Sequence, residues 1–523
     1  MSGATRECYI QNGSRTDPVW EATLTSTYRI APEIFFIDRR DRRTLQMQLA
    51  TSIVSTILDT RALPGTRMPS TRKLSETLNI SRLTVTLVYQ DLVAQGYLEP
   101  LPRSGFVISR KVPHRRVQAD TAASGVIPAV DWTGRLAHRL DQRRKISKPR
   151  DWRSYPYPFI YGQVDPTLFD HNAWRDCARR ALGQRDFPEL ADDRLAQDDP
   201  VLVDYVRRNT LPRRGINASP DEVLITLGAQ NALWIAATLL ATPDRLGVME
   251  DPGFPDFAET LRFLGMPRHF VQGDEGGLDP DLLPPDTGLV FVTPSHNIPA
   301  GATMPRERRR HLLDLADQKD FLIIEDDYET EMSFLEPPSP SLKAMDRAGR
   351  VIYVGSFSKS LFPGLRIGYL VAPPEFIRQA RELRTMMLRH APGHMQRVTG
   401  YFLALGHYDA HVVRLREIFR RRREALVTAL GPTDIHVVGA ARHGGSSLWV
   451  AGPEHIDSRD LATHLAPRGV LIEPGHPFFS NPAEVCNLFR LGYSSIAEAQ
   501  IGKGVQIMQE TVAALATSSG RVD

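Results

Sequence analysis

The chain has 523 residues, of which 42% are hydrophobic and 24% are charged, and its formal net charge is +3. This length suggests about two to four domains, and the composition excludes a wholly disordered chain. No apolar run approaches the roughly 18 residues of a membrane helix, and the polar start lacks the apolar stretch of a secretory signal. Three cysteines (Cys8, Cys177 and Cys486) are too few and too scattered for a disulfide framework or a zinc site. We therefore expect a cytoplasmic protein without a metal centre.

The first predicted domain covers residues 35–109 and follows an N-terminal extension, 1–34, that carries no interpretable motif. Apolar side chains recur at helical spacing over residues 46–58. Ser70 and Ser81 each stand where an N-cap residue would begin a further short helix. Two short helices around a tight turn form a helix-turn-helix.

A pair of short strands is predicted after the third helix, over residues 96–99 and 105–108, as a hairpin or wing. Arg82 and Thr84 fall in the first turn of the third helix, where a recognition helix meets base edges. An arginine there can pair bidentately with guanine. The second helix begins beside Ser70, and a helix N-terminus is a natural phosphate site. The alternative is a winged helix that is used only for protein contacts.

The string from Leu63 to Leu74, together with Ser81-Arg82-Leu83-Thr84-Val85, closely resembles the GntR family of winged-helix repressors. The resemblance covers nearly all of residues 40–109. It implies a set of DNA-contacting residues in the helices and the wing, namely Arg67, Ser70, Arg72, Ser81, Arg82, Thr84, Arg103 and Gly105.

A basic segment follows at residues 110–150, with eleven Lys and Arg against three Asp. It lacks sustained apolar periodicity, and we interpret it as a linker with a short helix near 132–140. Such a linker is either a solvated spacer or a segment that also contacts phosphates.

The second domain is predicted over residues 151–516, before a short tail at 517–523. It alternates longer helical stretches with short apolar strands rich in β-branched residues, as buried parallel strands are. These strands are predicted at 223–226, 288–292, 321–324 and 351–354. The pattern indicates an α/β fold with a mostly parallel sheet.

The segment from Gly355 to Gly368 follows the last of these strands and contains Ser358-Lys359-Ser360. A lysine flanked by hydroxyl residues suits a Schiff base with an aldehyde. Arg366 can hold a phosphate, with help from the Ser356 hydroxyl. A lone lysine after a strand is usually only solvated. The complete string, however, resembles the lysine segment of fold-type I aminotransferases, which bind pyridoxal 5'-phosphate (PLP).

An acidic string, Glu325-Asp326-Asp327-Tyr328, stands at the carboxyl end of the 321–324 strand, where ligands bind in such sheets. By resemblance, Asp326 rather than Asp327 would pair with the protonated pyridine nitrogen and keep the ring an electron sink. Tyr328 would bond the ring's phenolate oxygen. Without the resemblance, an acidic pair is usually a solvated strand end.

Three further segments extend the resemblance. Ala229 and Gln230 would begin a helix whose backbone amides cradle the cofactor phosphate. Phe254 would be the aromatic residue that stacks on PLP, although an isolated Phe is more often part of the core. Arg490 would grip an acidic group bidentately, although a lone Arg is more often a surface ion pair.

The two halves together resemble the MocR subfamily, in which a GntR-type winged helix is fused to an aminotransferase-like domain. Thr293–Gly301 resembles that subfamily's signature loop. The resemblance implies a PLP-dependent transcription regulator that acts as a head-to-tail homodimer on a double-stranded DNA operator. A small amine or amino-acid effector would attack the aldimine at Lys359, while Arg490 holds its acidic group.

Two departures from active aminotransferases weaken the case for efficient turnover. Ile298 stands where those enzymes usually place an Asn, and Leu190–Arg194 stands where they carry a Tyr-Gly-Asp-Pro turn. We therefore do not expect an efficient enzyme, although a residual transaminase half-reaction stays open. The alternatives are an active aminotransferase with a fused DNA-binding domain, and a DNA-binding scaffold that has lost its cofactor.

The sequence leaves the effector open among GABA-like amino acids, taurine, breakdown products of compatible solutes and vitamin B6. It also leaves open the operator sequence and the choice between activator and repressor.

Overall fold

The computed structural model describes residues 29–59, 62–102, 105–111, 130–141, 143–439, 443–481 and 486–519. The chain divides into two compact units, Met1–Arg135 and Leu136–Asp523. Within the described ranges, no helix is both long enough and apolar enough to cross a membrane.

The first unit contains a three-helix core and a two-stranded wing. Its elements are α1 (Leu45–Leu58), α2 (Thr71–Leu78), α3 (Arg82–Ala94), β1 (Leu98–Leu101), β2 (Gly105–Ile108) and the short α4 (Trp132–Arg135).

Both predicted N-caps of this unit are confirmed. The Ser70 hydroxyl accepts a hydrogen bond from the Lys73 amide at 3.2 Å, and the Ser81 hydroxyl accepts one from the Thr84 amide at 3.0 Å. These bonds satisfy amide groups that would otherwise lack partners at the start of each helix. At the end of α2, Asn79 adopts a left-handed conformation with φ of 52°, which turns the chain towards α3.

The inward face of α3 packs in the core of the first unit, as predicted. Val85, Val88 and Leu92 are buried, as the helical spacing indicates. The first wing strand begins two residues later than expected, at Leu98 rather than Gly96. The reason is that Gly96, with φ of 80°, closes the turn after α3 through a bond from its amide to the Val93 carbonyl.

The second unit is built on a sheet of seven strands flanked by helices. The strands that the structure describes in this unit are, in chain order, β3 (Tyr157–Pro158), β4 (Val223–Thr226), β5 (Leu246–Asp251), β6 (Arg268–Gln272), β7 (Thr287–Val292), β8 (Leu322–Asp326), β9 (Val351–Ser356), β10 (Gly368–Val371), β11 (His436–Val437), β12 (Ser447–Ala451), β13 (Val470–Leu471), β14 (Glu473–Pro474) and β15 (Leu488–Gly492).

The helices of this unit are α5 (His171–Ala181), α6 (Phe187–Ala191), α7 (Pro200–Tyr205), α8 (Ala229–Leu240), α9 (Pro255–Phe263), α10 (Arg306–Lys319), α11 (Leu342–Met345), α12 (Pro374–Leu388), α13 (Gly393–Ala404), α14 (His407–Leu430), α15 (Ser458–Leu465) and α16 (Glu498–Ser519).

The large sheet has the order β4-β10-β9-β8-β7-β5-β6. Its pairs are parallel except that β10 runs antiparallel to both neighbours, so the predicted mostly parallel α/β sheet is confirmed. A smaller antiparallel sheet follows, in the order β11-β12-β15-β14.

Both faces of the large sheet are buried, which explains its apolar strand sequences. Leu224 and Ile324 pack on one face with residues of α8 and α9, while Ile225 and Tyr353 pack in a separate cluster with α13 and α14. Because β4, β5, β7, β8 and β9 all point the same way, the loops that follow them meet at one edge. Ligands bind at this edge in open α/β sheets.

Candidate functional site

The exposed surface of the helix-turn-helix carries the cations expected to meet DNA. Arg72 on α2 is highly exposed and pairs with Glu76 at 3.0 Å. Arg82, at the start of α3, donates from Nε to the Thr71 hydroxyl at 3.3 Å. The Thr84 hydroxyl lies 2.7 Å from that of the capping residue Ser81. The two guanidinium groups therefore lie near the N-terminal turns of α2 and α3.

The remaining predicted DNA contacts lie around the wing. Arg67 is half-buried and forms a β-bridge with Val107 on β2. Gly105 begins β2 with φ of 94°, a conformation that favours glycine. Arg103 lies outside the described residues.

A cavity of about 250 Å³ lies at the edge of the large sheet where the parallel strands end. It brings together residues from nine separate segments of the second unit. Every cofactor and effector residue predicted from the sequence lines it, namely Lys359, Asp326, Tyr328, Ser356, Arg366, Phe254, Ala229, Gln230 and Arg490.

Lys359 follows β9, and its amine lies 3.9 Å from the centre of the Tyr161 ring. Burial lowers the pKa of this amine to about 8. Gly162, with φ of 71°, leaves room for the amine, since a Cβ at that position would lie 2.5 Å from Nζ. The lower pKa increases the fraction of neutral amine, which is the form that attacks an aldehyde.

Asp326 ends β8 and is buried, with no hydrogen-bond partner for Oδ1 among the described residues. Burial, with a contribution from the neighbouring Asp327, raises the pKa of Asp326 to about 7. Asp327 has a different role, because its Oδ2 accepts bonds from Arg214 Nε at 2.6 Å and from the Tyr353 hydroxyl at 2.8 Å. An unpartnered buried carboxylate at the cavity wall fits a protonated ring nitrogen.

Another part of the cavity lining has the features of an anion cradle. Gly228, with φ of 77°, precedes the first turn of α8, whose amide groups point out of the helix. Arg366 closes over it, since a Cβ on Gly228 would lie 2.9 Å from Nη2. The Ser356 hydroxyl accepts a bond from the Ser358 amide at 3.1 Å, and the buried Ser358 hydroxyl has no partner within the described ranges. The first amides of α8, the Arg366 guanidinium and the Ser358 hydroxyl are hydrogen-bond donors that fit the phosphate of PLP.

The side walls of the cavity are apolar. Phe254, the residue before α9, and Ile298 both line the cavity and belong to one apolar cluster. The adjacent Asn297 does not replace the missing amide, because its side chain does not line the cavity and is bonded elsewhere: its Oδ1 accepts from the Ala300 amide at 3.2 Å, and the side chain also bonds to the Glu250 carboxylate. Tyr328 donates its hydroxyl proton to the His296 carbonyl at 2.9 Å, whereas the family resemblance implies a bond to the ring oxygen.

Arg490 is buried and already has an acidic partner. It lies on β15 directly opposite Glu473 on β14, and its Nε lies 2.8 Å from Oε2 of that glutamate. The guanidinium also lies 4.0 Å from the centre of the Tyr161 ring and 4.8 Å from that of Phe478. A ligand anion must therefore approach the Nη groups or compete with Glu473.

Several residues in or beside the cavity were missed by the sequence analysis, and of these Tyr161 and Glu473 line it. Tyr161, Gly162 and Glu473 belong to none of the motif strings, and Glu473 has its partner on a neighbouring strand 17 residues away. Residues 146–148 also line the cavity, although they belong to the segment that we interpreted as a linker. A local sequence signal for these contributions is lacking because only the fold brings them to the cavity.

Comparison with known proteins matches both units. The profile for aminotransferase class I and II matches residues 202–507, and the profile for bacterial regulatory proteins of the gntR family matches residues 45–108. Among solved structures, kynurenine aminotransferase of Pyrococcus horikoshii, in complex with PMP, is similar with a TM-score of 0.66 and 26% identity. The alignment covers 73% of this chain and 98% of the aminotransferase chain.

The alpha-aminoadipate aminotransferase LysN of Thermus thermophilus, solved with N-(5'-phosphopyridoxyl)-L-leucine, gives the same TM-score and identity, over 74% of this chain and 100% of its own. Two curated regulators align over both units. The transcriptional regulator TauR of Rhodobacter capsulatus is 48% identical over 91% of this chain and 98% of its own length. The probable rhizopine catabolism regulatory protein MocR of Rhizobium meliloti is 27% identical over 92% and 96%. The chain therefore belongs to the MocR-like regulators of the GntR family, transcription regulators that join a winged helix to an aminotransferase class I and II domain.

Proposed function

We propose that this regulator binds PLP at Lys359 and alters its DNA binding in response to a small amine or amino acid. The observation that carries the proposal is that Lys359, Asp326 and Arg490 line one cavity in a chain whose other unit is a winged helix. When bound, PLP supplies an aldehyde that condenses with primary amines. Lys359 and an effector amine would then compete for the same position.

Different residues of the cavity would hold the cofactor and the effector. The start of α8, Arg366 and Ser358 would hold the phosphate, and Asp326 would hold the ring nitrogen. Arg490 would orient the acidic group of the effector, with Glu473 as its counter-ion. These contacts fix the effector amine near the position of Lys359.

On the DNA side, Arg82 would read a base edge and Arg72 would contact a phosphate, within a head-to-tail homodimer on a DNA operator. Because its operator lies on DNA, the protein would act in the cytoplasm. An effector shifts the equilibrium between two arrangements of the dimer only by its different affinity for them. The effector must therefore change contacts that the two arrangements do not share.

The test of the cofactor site combines absorbance with mass spectrometry. Purified protein with PLP should show an imine band near about 410–420 nm, a range typical of PLP imines. Hydride reduction should then fix PLP on the peptide that contains Lys359. Lys359→Ala should remove both signals, and Lys503→Ala, a change at an exposed lysine on α16, should retain them. The absence of a band and of an adduct in the wild-type protein would refute the cofactor site.

The competing function is an active aminotransferase. Ile298 at the cavity wall, in place of an amide, argues against efficient turnover. Multiple turnover with an amino acid and 2-oxoglutarate, at a rate of order 1 per second or more, would favour the enzyme instead.

A further inference from the structure

A second cavity, of about 340 Å³, lies in the aminotransferase-like unit beside the first turns of α14. Four of its lining residues are spaced three or four apart on α14, which puts them on one face of that helix, namely Asp409, Val412, Val413 and Arg416. The segment before β4 and the residues after β8 supply most of the remaining wall. The second cavity shares no lining residue with the cavity at Lys359, so it is a separate place for a ligand.

Arg416 presents a guanidinium group to the second cavity without a carboxylate partner. Its Nε donates to the Glu331 carbonyl at 2.6 Å, which fixes the position of the side chain. Neither Nη group forms an ion pair with any residue that the structure describes. Both Nη groups are therefore left for a ligand, and a guanidinium fork matches the two oxygens of a carboxylate.

Two threonine hydroxyls of the second cavity are buried without a partner. Thr210 is 6% exposed, and its Oγ1, like that of Thr330, has no hydrogen-bond partner in the part of the chain that the structure describes. An acceptor supplied by a ligand would satisfy both groups. A carboxylate can accept from hydroxyls as well as from a guanidinium, because its two oxygens offer about four lone-pair sites.

The acidic groups of the second cavity do not cancel the charge of Arg416. Asp409 accepts from Arg213 at 2.9 Å, and Arg214 has the buried carboxylate partner described above. Desolvation raises the pKa of Glu331 to about 7, so this carboxyl group is partly protonated near neutral pH. The unbalanced charge at the cavity is therefore that of Arg416, and it favours an anion.

The rest of the wall is apolar. Val412 and the Tyr408 ring are buried, and Pro338 also lines the cavity. Val413 is 65% exposed and marks the mouth. Ligand cavities of this kind combine an apolar wall with a few polar groups that fix the orientation of the ligand. A purely polar anion such as phosphate would leave this wall uncovered, whereas an organic acid would cover it.

The second cavity is linked to the lysine segment by one hydrogen bond. The Tyr408 hydroxyl lies 2.8 Å from that of Ser360, the residue after Lys359, and both side chains are 1% exposed. A ligand that packs on Tyr408 therefore acts two residues, through one bond, from the expected site of PLP.

We propose that the second cavity binds a small carboxylic acid with an apolar body, and that the bond between Tyr408 and Ser360 transmits its occupancy to Lys359. Arg416 holds the carboxylate through both Nη groups, the two threonine hydroxyls donate to it, and the apolar body lies against the valines of α14. The binding site stands independently of the proposed function. The transmission rests on that function and gives the regulator a second input.

The first experiment measures binding of benzoate and 3-methylbutanoate to the full-length, PLP-loaded protein by calorimetry. Benzamide and 3-methylbutanamide have the same shapes without the charge and should bind about tenfold more weakly. Arg416→Gln should weaken both carboxylates about tenfold or more, because it removes a bidentate contact to a charged group. Arg414→Gln is the matched control, since Arg414 is exposed on the same helix and does not line the second cavity.

Arg414→Gln should change each affinity by less than about twofold, as expected for a distant surface charge. Equal effects of the two substitutions would overturn the site. A wild-type protein that binds neither carboxylate better than its amide would also overturn it.

Thr210→Val distinguishes a lost contact from a misfolded variant. It replaces an unpartnered hydroxyl by a methyl group of similar size, so without carboxylate the variant should unfold at the wild-type temperature or above it. Its affinity for benzoate should nevertheless fall about threefold to tenfold, the value of one hydrogen bond. A stable variant with unchanged affinity would contradict the proposed site.

The second experiment titrates the PLP absorbance with propylamine, which has no acidic group, with and without saturating benzoate. Benzoate should change the apparent amine affinity about fivefold or more, as is typical of coupled sites. Arg416→Gln should remove this effect by removing the ligand. Tyr408→Phe should remove it while benzoate still binds, because the ring remains and only the bond to Ser360 is lost.

The outcomes separate the two parts of the inference from the proposed function. A benzoate effect that persists in Arg416→Gln would place its action at the cofactor cavity and refute the transmission, and so would an unchanged effect in Tyr408→Phe. A protein whose spectrum shows no bound PLP refutes the proposed function and the transmission together. Calorimetry still decides the carboxylate site in that case.

Discussion

The two binding surfaces of this protein use charge in opposite ways. On the helix-turn-helix, the Arg72 side chain is 79% exposed, and its partner Glu76 is exposed as well. In the cavity, Arg490 and Asp326 are only 2% and 4% exposed. Exposed cations act on DNA phosphates through screened attraction and release of counter-ions, so added salt weakens them. Buried charged groups act through desolvation and hydrogen bonds. Their interactions therefore depend more on pH and on individual hydrogen-bond partners than on salt.

The largest expected effect in the cavity is that of Asp326→Asn. Removing the ring-nitrogen partner should weaken PLP binding about tenfold to 100-fold, the value of a hydrogen bond to a charged group.

The same substitution should affect the stability of the cofactor-free protein in the opposite direction. The pKa of Asp326 rises from 3.8 to about 7 on folding, so the folded state binds the extra proton in this window and stability falls as pH rises through it.

Asp326→Asn should therefore stabilise the cofactor-free protein above pH 7, by up to about 4 kcal/mol, and have little effect below pH 4. Chemical denaturation of both proteins across this pH range measures the difference. Asp327→Asn is the control, since it leaves the buried Arg214 without its carboxylate and should destabilise by about 3–5 kcal/mol. If both substitutions destabilise equally at pH 8, the assignment of Asp326 to the cofactor is contradicted.

On the DNA surface, Arg82→Ala should cost about 1–3 kcal/mol and relax specificity at one base pair. Arg72→Ala should instead weaken all sequences alike and reduce the salt slope by about 1. Binding to an operator and to its single-base variants, measured at several salt concentrations, distinguishes the two roles. The same pattern for both variants would mean that the roles are assigned wrongly.

A smaller effect is expected for Glu473→Gln. The amide keeps an acceptor for Arg490 Nε but removes the charge that balances the guanidinium. Acidic amines should bind about threefold to tenfold more tightly, because Arg490 then lacks a competing anion. Anionic ligands should also raise the unfolding temperature more than in the wild-type protein. An unchanged preference for acidic over neutral amines would show that Arg490 does not contact the effector.

The features predictable from the sequence are those that short strings determine. The caps at Ser70 and Ser81 depend on neighbours three residues away, and Lys359, Asp326 and Arg366 stand in strings at strand ends. The first turn of α8 is likewise identifiable, because Gly228 precedes it and lies two residues after the end of β4. In each case the interacting groups are close in sequence, so local pattern and family resemblance identify them together.

The other wall of the cavity depends on distant parts of the chain. Glu473 meets Arg490 only because β14 pairs with β15. Lys148 reaches the cavity because Arg144 bonds to Phe479, 335 residues further along the chain. Basic residues in a polar segment have the composition of a solvated linker, and composition contains no information about such a contact.

The most direct test of amine-dependent regulation is operator binding by full-length, PLP-loaded protein in the presence and absence of an amine that changes its absorbance. This amine should change the operator dissociation constant or the DNA footprint of the wild-type protein. Lys359→Ala should bind the operator but should not respond. Operator binding that stays the same with every spectrally active amine would contradict any coupling between the cavity and DNA binding.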